Sequence, residues 1–168
     1  MKPSTYPNEA FTRSVHEDAL QAAGAAPTPA ETTIECNRLQ DWNQLNREIK
    51  FDLLEYIYCK FKPGITEARH WTSYGLKHMY EVVNTYVTNG QFKAAMLLSG
   101  YLPVHPEYLN WTFQISPVFR CIKNATRGIE TMKLGSSRRL TEQYRCSDQG
   151  QKLIARLEAL ADFNFPEQ

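Results

Sequence analysis

Apolar residues at Trp42, Leu45, Ile49, Leu53, Tyr56 and Ile57 recur in steps of three and four and stop before Pro63-Gly64. That spacing predicts a helix from about Asp41 with one face in a core, because side chains three and four apart share a helix face. The opposite face carries Arg47, Glu48, Lys50, Asp52 and Glu55 and is expected to be solvated. A chain of 168 residues supplies one domain's worth of core to pack against this helix. With 42% hydrophobic and 22% charged residues it is neither disordered nor fibrous in composition. No apolar run approaches the roughly 18 residues of a membrane span, and Met1 to Pro7 lacks the apolar stretch of a secretory signal. These features predict a cytoplasmic protein without membrane contact.

Residues 1–33 read as a tail. Pro3, Pro7, Pro27 and Pro29, the run Ala22-Ala23-Gly24-Ala25-Ala26 and a shortage of large apolar groups cannot offset the entropy of ordering. Residues 34–168 are expected to form a single mainly α domain. A second helix is predicted from Thr72 or Ser73, with Leu76, Met79, Tyr80, Val83, Tyr86 and Val87 on its inner face. A third follows, capped by Thr88 or Asn89, lined by Phe92, Ala95, Met96 and Ser99, and stopped at Gly100. Pro103 and Pro106 forbid a long helix beyond it. Asn110 to Ile115 alternates polar with apolar residues as a short strand does, with Val104 as the start of an antiparallel partner. Short helices are expected in the segment from Phe119, broken at Gly128 and at Gly135-Ser136-Ser137. A last helix, capped by Ser147 or Asp148, carries the stripe Leu153, Ile154, Leu157, Leu160 and Ala161.

The net charge is only +1, yet it is unevenly spread. Residues 120–156 hold nine basic side chains against three acidic ones, whereas residues 41–119 hold seven of each. Such an excess attracts nucleic acid or an acidic protein face. Cys36, Cys59, Cys121 and Cys146 show no CxxC pair, so free thiols are expected rather than disulfides or a zinc site. His16, His70, His78 and His105 lack the spacing of a metal helix. No phosphate loop, nucleophile elbow or Cys-His signature is present. The reading is therefore a non-enzyme with no cofactor and no metal. If any group did acid-base work it would be His78 with Glu81 and Lys77.

The stretch Ser73-Tyr74-Gly75-Leu76-Lys77-His78, then Thr88-Asn89-Gly90-Gln91-Phe92-Lys93-Ala94-Ala95-Met96, then Gly100-Tyr101 and Asn110-Trp111-Thr112-Phe113 resembles small accessory proteins encoded by bacteriophages, prophages and plasmids. Those share a SYGLKH, TNGxFxxAM and NWxF pattern; the likeness spans residues 70–117. It implies a mobile-element origin, hence a bacterial host cell, and it supplies no catalytic activity. Independently, the order helix, tight turn, helix, glycine stop and strand pair is that of a winged helix-turn-helix. On that reading Asn89, Gln91, Lys93 and Ala94 face outward to meet DNA or RNA, and Arg120, Lys123, Arg127, Arg138, Arg139 and Arg145 hold its backbone. The alternative is a stoichiometric inhibitor of a host defence complex, of the anti-CRISPR type, using exposed tyrosines and tryptophans. Whether the protein forms a homodimer is left open.

Overall fold

A computed structural model describes residues 38–117 and 139–166. The tail expected over residues 1–33 and most of the basic segment lie outside the described residues. The fold is mainly α with a small two-stranded antiparallel sheet.

The predicted first helix is divided in two. Leu39–Gln44 forms a 3₁₀ turn, and helix α1 runs from Arg47 to Lys60. The break falls at Asn46, whose Oδ1 accepts the Ile49 amide at 2.8 Å and so starts a new helix there. Trp42 is fully buried, and its indole N–H donates to the Phe163 carbonyl at 2.9 Å. Helix α1 buries Leu53, Leu54, Tyr56, Ile57 and Cys59, more of its circumference than one amphipathic stripe, because it is covered from both sides. Of the polar face expected in solvent, Glu55 and Lys50 are buried instead. At Phe61 the backbone turns extended and enters strand β1, Phe61–Pro63.

Helix α2, Ser73–Glu81, is capped by Thr72, and helix α3, Asn89–Leu98, by Thr88. The first is shorter than its apolar spacing suggests. It ends at Glu81, and Tyr86 turns outward to 68% exposure rather than inward. Helix α3 closes as expected at Gly100, which adopts φ of 90°. The Gly100 amide donates to Leu97 and the Tyr101 amide to Met96, the paired bonds that satisfy the last carbonyls of a helix when a glycine takes the left-handed conformation.

Strand β2, Ile115–Pro117, pairs with β1, with Phe61 opposite Pro117, Lys62 opposite Ser116 and Pro63 opposite Ile115. The expected partner near Val104 makes a smaller contribution. Pro103 and Phe113 form a single bridge, and the Val104 amide donates to Thr112 at 2.9 Å. Prolines at 103 and 106 remove the donors that a longer ladder needs.

Helix α4, Glu142–Arg145, leads to α5, Asp148–Ala161, capped by Ser147. The corner between them is tight: a Cβ on Gly150 would stand 1.8 Å from the Tyr144 carbonyl oxygen. Helix α5 buries Leu153, Leu157 and Ala161 against α1. Helix α3 is the centre of the fold, packed by the 3₁₀ turn, α1 and α2. Every residue from Gly90 to Leu98 is buried as a result.

Candidate functional site

Three of the four α3 side chains expected to meet nucleic acid are enclosed in the protein. Gln91 is 7% and Lys93 3% exposed, and Ala94 is fully buried. The Gln91 amide nitrogen donates to the Asp41 carbonyl at 3.1 Å, while its oxygen accepts the Thr88 amide at 2.7 Å. The Lys93 ammonium lies 4.3 Å from the centre of the Trp111 ring and donates to the Leu109 carbonyl at 3.5 Å. Half-buried Asn89 donates to Asn110 Oδ1 at 3.2 Å. These bonds fasten α3 to the 3₁₀ turn and to the 109–111 loop. Packed by three elements, α3 has no open face to enter a groove, and Gln91, Lys93 and Ala94 are buried rather than exposed as expected.

Two of the expected backbone-holding cations are engaged by carboxylates. Arg139 donates to Asp52 at 2.9 Å. Arg145 donates to Glu55, a 1%-exposed residue whose Oε1 also accepts the Leu140 amide at 3.2 Å. Burial pushes the Glu55 carboxyl above the usual carboxylate range, against the opposing pull of the Leu140 amide and Arg145. Arg120, Lys123, Arg127 and Arg138 lie outside the described residues.

The acid-base candidates do converge. Glu81 Oε1 accepts from the Lys77 ammonium at 2.6 Å and from the Val87 amide at 3.3 Å, and its Oε2 lies 2.8 Å from His78 Nδ1. Burial acts to raise this carboxyl, but the Lys77 and Val87 bonds and His78 outweigh it and hold it below its ordinary value. The Lys77 ammonium also lies 4.8 Å from the Tyr86 ring centre and 5.5 Å from that of Tyr74. Both carboxylate oxygens are occupied, and the Val87 bond ties down the 82–87 connection, so the cluster clasps the end of α2. Among the described residues no three His, Cys, Asp or Glu side chains are grouped to hold a metal, and no helix is long and apolar enough to cross a membrane.

A cleft of about 490 Å³ opens between α5 and the junction of α1 with β1. Leu153, Leu157 and Leu160 from α5 and Phe61 from β1 give it an apolar floor, and Tyr58, Tyr101 and Tyr144 project into its wall. Lys62, Lys152 and Arg156 stand around it with Gln149, and no carboxylate lines it among the described residues. Burial raises the Tyr101 phenol far above its usual range. The spacing Lys152-x-x-x-Arg156 puts both cations one helical turn apart, a signal readable in the sequence. Lys62 and Tyr101 carry no such signal, because they arrive from distant positions.

The chain is thus a mainly α domain with a cationic, tyrosine-lined cleft. No protein-family model matches its sequence, and no curated protein or solved structure matches it.

Proposed function

We propose that the protein is a nucleic-acid-binding accessory factor, and that it holds the phosphate chain at the cleft rather than on α3. One observation carries the reading: Lys62, Lys152 and Arg156, from β1 and α5, converge on a concave surface lined by three tyrosines and no described carboxylate. Phosphates gain most where several cations face one concavity, since each neutralised phosphate releases condensed counterions. Lys152 and Arg156 belong to the basic segment from residue 120, so the charge excess and the cleft coincide in sequence. The mobile-element origin implied by the likeness to phage and plasmid accessory proteins fits a regulatory role for a protein of this kind. Fluorescence anisotropy with random oligonucleotides at about 50 and about 200 mM salt tests the reading, because binding through phosphate contacts weakens steeply across that interval. Replacing Lys152 and Arg156 with alanine is expected to lower the salt slope by about one per cation removed. No binding at the lower salt overturns the proposal.

A second reading, a stoichiometric inhibitor of a host defence complex, draws on Tyr74, Val82 and Tyr86 around α2, exposed by 50%, 74% and 68%. Exposed aromatic groups are the anchors that protein interfaces use. It predicts one tight protein complex and no affinity for free nucleic acid.

A further inference from the structure

We infer that the cleft seats an unpaired nucleotide, so that the protein takes single strands in preference to duplex. This rests on the nucleic-acid reading above and narrows it. Its volume of about 490 Å³ falls within the range of small-ligand sites, the scale of a nucleotide and far below that of a double helix. Its surface is divided in the way a nucleotide is. The leucine floor and the tyrosine rings suit the flat apolar face of a base, and Lys62, Lys152 and Arg156 suit the phosphates on either side.

Duplex binding asks for the opposite shape. Paired bases are reached by an element that projects into a groove, and their faces are already stacked on one another. The helix that would have to project, α3, is enclosed by the 3₁₀ turn, α1 and α2. A concave site lined by rings can stack only on a base that has left its pair. Because every base has such a face, the site is expected to be tolerant of sequence.

The test uses the full-length protein and a fluorescein-labelled strand of about 12 nucleotides, alone and annealed to its complement, a length within the range such grooves occupy. At about 50 mM salt the single strand is expected to bind at least roughly ten-fold more tightly than the duplex. Tyr144→Ala is expected to weaken single-strand binding by about ten-fold, and Tyr144→Phe, which keeps the ring, by less than about two-fold. Tyr144 packs beside the core, so Lys62→Glu on the exposed strand provides a variant that does not depend on core packing; it is expected to weaken the single strand at low salt. Duplex binding equal to or tighter than single-strand binding overturns this inference and leaves the broader proposal standing. Absence of binding to both overturns the two together. Unchanged single-strand affinity in Lys62→Glu and Tyr144→Ala shows that the strand lies elsewhere.

Discussion

Arg145 reaches across from α4 to the carboxylate of Glu55 in the middle of α1, and the Leu140 amide shares the same oxygen. A residue predicted to sit on a solvated helix face is instead the anchor by which residues 139–145 are held to the first helix. Asp52, one turn earlier, makes the matching pair with Arg139. The pairing separates the basic segment into cations that hold the fold and cations, Lys152 and Arg156, that line the cleft.

Arg145→Ala should therefore act on stability. Removing one partner of a buried pair leaves the other charge uncompensated, at a cost of roughly 3 kcal/mol. Urea denaturation should show a lower midpoint with little change in slope. A midpoint equal to that of the wild type would mean that Arg145 contributes nothing to docking.

Gln91→Ala is expected to cost about 2 kcal/mol, since it removes half of the capping box of α3 and leaves the buried Asp41 carbonyl without that donor. Its nucleic-acid affinity should match that of the wild type under folded conditions. A variant of normal stability and reduced binding would return this helix to the interface.

Tyr80 is fully buried, and its hydroxyl has no hydrogen-bond partner among the described residues. Burial pushes the phenol up to about 12. Tyr80→Phe keeps the ring and its edge-on contact with Tyr56 at 5.2 Å between centres, while removing a polar atom that is costly to enclose. Thermal unfolding should show the variant equal to the wild type or stabilised by up to about 1 kcal/mol. Destabilisation beyond that would reveal a partner for the hydroxyl.

Glu81 gives the clasp at the end of α2 a pH dependence. Its carboxyl is held below the ordinary 4.5, so the unfolded chain takes up this proton before the folded one does. The stability it contributes is complete above about pH 4.5 and declines as the pH falls through the lower folded value. Wild type should exceed Glu81→Gln in stability at neutral pH, and the gap should narrow in acid. Glu55 works in the other direction: its raised carboxyl costs stability above the ordinary value and is relieved as the pH falls. Comparing the two proteins at each pH cancels that contribution. A gap that stays constant from neutral pH to about pH 3 would show that the carboxylate charge of Glu81 is not what holds the clasp.

The elements that could be read from the sequence are those whose determinants are local. Thr72, Thr88 and Ser147 cap helices through bonds that span three residues, and Gly100 ends α3 because only its neighbours and its own backbone are involved. The mainly α class follows from the same short-range spacing of apolar residues. What the sequence did not reveal depends on which elements meet. Gln91 and Lys93 look like surface residues until three other elements close around α3, and Glu55 looks solvated until Arg145 and Leu140 arrive from far along the chain. The partner of β2 is β1, from far along the chain, while the nearby Val104 segment makes one bridge and one amide bond. The cleft is of this second kind: Lys62, Tyr101 and Arg156 share it only because α5 packs along α1. Local chemistry determined where helices begin and end, and long-range packing decided which charges are enclosed in the fold and which stand around the cleft.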